Sequence, residues 1–280
     1  SDRDAGESFH RMTWSPATTE SIVRVHLAEY IESVDEYAKN GGGRIEADTV
    51  VSPRSFDVAL RAVGAACDAV ERVVAGEDDR AFCLVRPPGH HALKHNPMGF
   101  CLFNNVAVAS RMATEKLGLD RVLIVDWDVH HGNGTQDAFW EDPGVGFYSI
   151  HRWPFYPGTG DRYETGQGKG LGTTMNVPVK FGTQRKEFLT TFESTLSEFA
   201  AKIQPQLVVI SAGFDAHRRD PIGSLGLESE DFVPLTKTVV EIANEFADGK
   251  IVSVLEGGYN PLAVAESIDL HLDELSSKPE

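Results

Sequence analysis

The sequence predicts an α/β fold: one domain with a central, mostly parallel sheet flanked by helices. Three observations predict it. Apolar runs of strand length alternate with segments of helical periodicity, the order that builds parallel sheets covered on both faces. Ionisable clusters directly follow four of those runs, and open α/β sheets carry their sites at the carboxyl ends of strands. No linker-like shift of composition and no internal repeat divides residues 1–280, a length that buries a large core, so a single domain over 1–280 is expected.

Taken in order, the first helical face runs through Val63, Cys67, Val70 and Val74, spaced three and four apart. The first strand, Ala81–Val85, stops at Arg86-Pro-Pro-Gly-His90-His91, because proline ends a ladder and Gly89 permits a sharp turn. Tandem histidines there suit metal ligation, an acid–base pair or an exposed loop. The second strand, Arg121–Asp126, runs into Asp126, Asp128, His130 and His131. Continued as a strand, its period of two points Asp126, Asp128 and His130 to one face. Two carboxylates and an imidazole make a half-site for Zn²⁺ or another divalent ion, whereas a turn that merely caps a strand needs no such set.

The third strand, Val145–Ile150, precedes Gly158–Gly172, whose six glycines and lack of periodicity read as a long surface loop. Phe188, Phe192, Leu196, Phe199 and Ile203 mark the next helix. After the strand Leu207–Ala212 come Asp215, His217 and Asp220. Asp215 would complete an Asp/His/Asp set; His217 competes with it; Asp220, before Pro221, also suits a turn. Helix 232–246 leads to the strand Ile251–Leu255 and Glu256-Gly-Gly-Tyr259. The paired glycines admit backbone close to a ligand, and the Tyr hydroxyl suits an oxyanion donor or simple packing at a turn. Residues 262–275 form the last amphipathic segment.

Composition excludes several classes. A formal charge of −16 disfavours a nucleic-acid surface; it suits cationic substrates such as basic peptides or amines, and equally solubility. Three cysteines without C-x-x-C spacing give neither a disulfide framework nor a zinc ribbon, so a reducing, cytoplasmic setting is expected. No run approaches the ~20 apolar residues of a membrane span, and no signal peptide opens the chain. Phosphate loops, H-E-x-x-H helices and G-x-S-x-G elbows are missing from the sequence. Four clusters at the strand ends of one sheet converge on one crevice. Their sum is a metal with an open position, a histidine base for water and an oxyanion donor, the apparatus of metal-assisted amide hydrolysis.

Arg86-Pro-Pro-Gly-His-His-Ala92, Met98-Gly-Phe-Cys-Leu-Phe-Asn-Asn105, Asp126-Trp-Asp-Val-His-His-Gly-Asn-Gly-Thr-Gln136, Pro157-Gly-Thr-Gly160, Ser211-Ala-Gly-Phe-Asp-Ala-His217 and Leu255-Glu-Gly-Gly-Tyr-Asn260 together resemble the histone deacetylase family, nearest its class II and bacterial amidohydrolase-like members. The resemblance spans roughly residues 9–275. It implies an arginase/deacetylase-like three-layer fold and one zinc ion held by Asp128, His130 and Asp215, thereby preferring Asp215 to His217. It further implies a structural K⁺ held by Asp126, Ser149 and Ile150 with the backbone of Asp128 and His130. His90 and His91 match the family's histidine pair, with Asp126 as partner of the first. Asn133 stands where class I enzymes carry an aspartate facing the second; the neutral amide predicts a lower pKa for His91, the readier base.

By the same resemblance Tyr259 is the transition-state tyrosine. Phe100 beside Gly99 forms one tunnel wall, Tyr156 replaces the usual opposite phenylalanine, and Gly257 and Gly258 line the stem of the substrate. Ile222 stands where polyamine-selective members place an acidic gatekeeper, which favours acyl-lysine proteins or peptides over acetylated polyamines and other small amides. Ureohydrolysis lacks its bridging carboxylates, and a non-catalytic acyl-lysine-binding protein would not need the full set. An Asp₂His site also accepts Fe²⁺. Family members usually begin with a further His-Pro-Glu-like segment, so a truncated or incomplete N-terminal segment is expected. Oligomeric state is unread, a homo-oligomer being compatible.

Overall fold

A computed structural model describes residues 10–277. Its helices are α1 (Thr19–Ile22), α2 (Ala28–Lys39), α3 (Ser55–Ala75), α4 (Asn105–Glu115), α5 (Asn133–Phe139), α6 (Arg185–Ile203), α7 (Phe232–Phe246) and α8 (Pro261–Leu275). Its strands are β1 (Gly43–Arg44), β2 (Val50–Val51), β3 (Arg80–Cys83), β4 (Val122–Asp126), β5 (Val145–Arg152), β6 (Thr174–Val179), β7 (Leu207–Ala212) and β8 (Ile251–Leu255). Strands β3 to β8 form one sheet in the order β3-β8-β7-β4-β5-β6, every pairing parallel. The short β1 and β2 pair antiparallel as a separate hairpin.

The continuous apolar runs follow from burial on both faces. In β4, Val122 and Ile124 point into a core shared with α3 and α4, while Leu123 and Val125 point into one shared with α6, α7 and α8. Alternation of side chains therefore leaves no position for a polar residue until Asp126. Helix ends are locally specified. Asn104 accepts the Ala107 N–H at 3.0 Å to cap α4, and Asn260 accepts that of Ala263 at 3.1 Å ahead of Pro261 in the first turn of α8.

Several features depart from expectation. β4 ends at Asp126, so Asp128 and His130 lie on the following loop and share a site through loop geometry rather than strand alternation. β6 was not anticipated: its Thr-Met-Asn-Val-Pro-Val is mixed in polarity because it pairs only with β5, and Pro178 is tolerated at that edge. Helix α4 also escaped, since its small residues are buried around almost its whole circumference and leave no polar face to read. The 158–172 segment is a loop with one 3₁₀ turn at Gly168–Gly170.

Candidate metal centre

From β4 the chain moves outward to β5 and β6, then returns to place β7 on the other side of β4. The order therefore reverses between β4 and β7, and a crevice opens at their carboxyl ends. The loops after those two strands deliver Asp128, His130 and Asp215, all buried, with one potential ligand atom of each within 4.8 Å of the others. His130 Nδ1 stands 3.0 Å from Asp128 Oδ1 and 3.1 Å from Asp215 Oδ2.

The surroundings orient this set. Asp128 Oδ2 accepts the Gly257 N–H at 2.8 Å and Oδ1 that of His130 at 2.9 Å. Asp215 Oδ1 accepts the Val129 N–H at 2.9 Å, whereas the buried Oδ2, 3.1 Å from His130 Nδ1, has no hydrogen-bond partner. An orphaned carboxylate oxygen turned toward a second carboxylate and an imidazole is what a divalent cation would satisfy. A Cβ on Gly213 would strike the Asp128 carboxylate, and one on Gly257 would strike both carboxylates. These glycines keep the cradle open. Burial first, then Asp128, pushes the Asp215 carboxyl up to about 7, a cost that a bound cation would relieve. The donor set fits Zn²⁺.

Beside it lie His90 and His91, rings 4.0 Å apart. His90 Nδ1 is 2.9 Å from Asp126 Oδ2; against the penalty of burial, Asp126 and Asp128 raise its pKa to about 10. His91 Nδ1 is 2.7 Å from Asn133 Oδ1. An amide oxygen only accepts, so His91 carries its proton on Nδ1 and leaves Nε2 as the basic nitrogen. Burial, then the neighbouring His90 and His130, holds His91 well below its ordinary value. The hydrogen bond to Asn133 acts the other way and raises it, so burial rather than Asn133 sets the direction.

Tyr259 follows β8, its ring 5.6 Å from that of Phe100 and with the Arg86 guanidinium 5.8 Å from its centre. Burial and the Asp128 and Asp215 carboxylates push its hydroxyl strongly upward, so it remains a protonated donor. Tyr156 stands edge-on to His91 at 5.2 Å, and Phe155 stacks on His130 at 5.2 Å. Ile222 is 44% exposed. A Cβ on Gly258 would strike the Val264 side chain. Ser149 faces Asp126 in the β4–β5 register and lies 2.9 Å from His151 Nδ1; Ile150 is buried beside it.

Sequence reasoning missed the contribution of the hairpin loop. Asp48 Oδ1 accepts the Gly99 N–H at 3.0 Å and Thr49 Oγ1 that of Phe100 at 3.1 Å. These bonds hold Phe100 at φ 67°, an unfavourable region for a phenylalanine. Asp220 is more than a turn former: its Oδ1 accepts the N–H groups of Ile222 and Gly223, both at 2.9 Å, and its Oδ2 that of Tyr259 at 2.7 Å. Asx-type turns give such a residue a sequence signal, but not its long-range partner. His217 lies outside the cluster, bonded to Arg219 N and Ser229 Oγ.

Residues 3–275 match the histone deacetylase domain. The chain is 39% identical over 266 residues to the chloroplastic histone deacetylase 10 of Oryza sativa subsp. japonica, covering 91% of this chain and 60% of that protein. It is 38% identical over 246 residues to the histone deacetylase-like amidohydrolase of Pseudomonas aeruginosa, covering 88% and 65% respectively. The solved HDA15 HD domain superposes with a TM-score of 0.89 at 35% identity, over 95% of this chain and 74% of that one. The chain thus spans about 60% of the length of the rice protein it resembles. Among the described residues no helix is long and apolar enough to cross a membrane.

Proposed function

The chain belongs to the histone deacetylase family, and from that premise we propose that it is a zinc-dependent amidohydrolase removing acetyl or other acyl groups from lysine side chains of proteins or peptides. The observation that carries this reading is the convergence of Asp128, His130 and an unpartnered Asp215 oxygen beside two histidines of opposite pKa shift. Zn²⁺ held by Asp128, His130 and Asp215 would supply Lewis acidity, polarising the acyl carbonyl and acidifying the attacking water.

His91, neutral and with Nε2 free, takes the proton of that water. His90, kept cationic by Asp126, stabilises negative charge as it develops and then supplies the proton that the leaving amine requires. Tyr259 donates its hydroxyl hydrogen to the carbonyl oxygen as that oxygen becomes anionic. Phe100 and Tyr156 grip the aliphatic stem and exclude water, with Gly99, Gly257 and Gly258 leaving room for it. Asn133 fixes the His91 tautomer.

The proposal includes a structural K⁺ at Asp126, Ser149, Ile150 and the carbonyls of Asp128 and His130, supported by the pairing of Asp126 with Ser149 across β4 and β5. It also includes a reducing, cytoplasmic setting, supported by Cys67, Cys83 and Cys101, all buried as free thiols. The apolar, exposed Ile222 favours acyl-lysine. The test is turnover of an acetyl-lysine peptide beside an N-acetylated polyamine. Peptide hydrolysis blocked by a hydroxamate supports the reading; a kcat/KM more than tenfold higher on the polyamine replaces it with small-amide hydrolysis.

A further inference from the structure

Glu256 has no part in the chemistry above, yet it is fully buried against the histidine pair. Its Oε2 accepts the Gly89 N–H at 2.6 Å and the His90 N–H at 3.1 Å, and its Oε1 lies 3.3 Å from Ser211 Oγ. Its backbone is engaged as well: the Arg86 guanidinium donates to Glu256 O at 2.7 Å, and Glu256 N–H donates to Ala212 O at 3.1 Å. One residue therefore ties together the loop after β3, the end of β7 and the end of β8.

The sequence explains why the loop needs this acceptor. Pro87 and Pro88 carry no N–H, so Gly89 and His90 hold the first backbone donors after Arg86. Both are buried, and a buried N–H without a partner costs about 1–3 kcal/mol. The next peptide is also gripped, since Gly134 and Thr135 donate to His90 O at 3.0 and 3.2 Å. His90 is thus clamped between Glu256 and the start of α5. A Cβ at Gly89 would strike the backbone of Asn105, so the loop has little freedom to settle elsewhere.

We propose that Glu256 is a positioning residue: its carboxylate gathers the Gly89 and His90 N–H groups and thereby fixes where both imidazoles stand relative to the metal ligands. The inference rests on the deacylase reading above. Displacements of about 1 Å at a reacting group cost on the order of 10²-fold in rate, and the loss falls on the chemical step because Glu256 is fully buried behind the histidine pair.

The test compares zinc-loaded wild type with Glu256→Gln, which keeps an acceptor oxygen, and with Glu256→Met and Glu256→Ala, which do not. Active sites are counted by titration with a tight-binding hydroxamate, so that misfolded protein does not enter kcat. On an acetyl-lysine peptide, the acceptor-free variants should lose about 30–100-fold in kcat per titrated site with KM within about threefold, and Gln should recover most of the rate. In ¹⁵N-histidine spectra, the His90 and His91 ring signals should move in Met and return in Gln. Full kcat per site in Met or Ala overturns the proposal. So does failure of both to fold while Gln is fully active, because Glu256 would then serve stability alone. If wild type cleaves no acyl amide, the deacylase reading fails by itself; histidine signals unmoved in Met would then reject the positioning role, and shifted ones restored in Gln would uphold it.

Discussion

Tyr259 carries one donor into a buried, carboxylate-rich crevice, and its phenol stays protonated because burial and Asp128 with Asp215 oppose ionisation. Replacement by phenylalanine removes that donor while keeping the ring packed on Phe100. kcat for acetyl-lysine peptide hydrolysis should fall on the order of 10²–10³-fold with little change in KM; turnover within a few-fold of wild type would refute the role. The backbone of the same residue hangs on Asp220 Oδ2. Asp220→Ala frees three backbone N–H groups and should lower kcat about tenfold or more alongside a loss of thermal stability. Normal kcat in a destabilised protein would confine Asp220 to folding.

At the scale of elements, β4 is the strand on which both cores and the candidate centre depend. Ile124, fully buried between the sheet and its helices, should cost about 2–5 kcal/mol when cut to alanine, read by denaturant unfolding. A cost below 1 kcal/mol would mean that this core is not packed as described. The same burial made β4, β7 and β8 legible in the sequence: fully buried strands of five or six residues hold only apolar residues and a small serine until Asp126 closes β4. Edge strand β6 and the two-residue β1 and β2 had no such signature. With β1 and β2 went the roles of Asp48 and Thr49, whose contact with Gly99 and Phe100 joins residues about fifty apart. Strand-end clusters announced Asp128, His130 and Asp215 as a set, but by loop geometry that no period of two describes. The turn role of Asp220 was legible, but its bond to the Tyr259 N–H was not, nor were those of Glu256 to Gly89 and His90, since these partners follow other strands.

For the whole molecule, buried neutral histidines set an acid limit. His26 donates from Nδ1 to Leu93 O and accepts the Asn104 N–H at Nε2, each at 2.9 Å, so its protonation would set two donors against each other. Burial lowers it to about 4. Between about pH 6.5 and 4 the unfolded chain binds a proton here that the folded chain does not, so stability is present above 6.5 and drains away as pH falls. Relative to His26→Gln, wild type should lose about 1.4 kcal/mol per pH unit across that window in urea unfolding. A difference independent of pH would contradict a neutral buried His26.

In the proposed mechanism, activity depends on one divalent ion held by Asp128, His130 and Asp215. Its most direct test is acetyl-lysine peptide turnover measured as metal-stripped protein is titrated with Zn²⁺, with bound metal determined on the same samples. Activity should rise linearly and saturate at one Zn²⁺ per chain, and Asp128→Ala should neither retain the ion nor turn over. Full turnover by the stripped protein, or one tightly bound ion without hydrolysis of any acylated substrate, would contradict it.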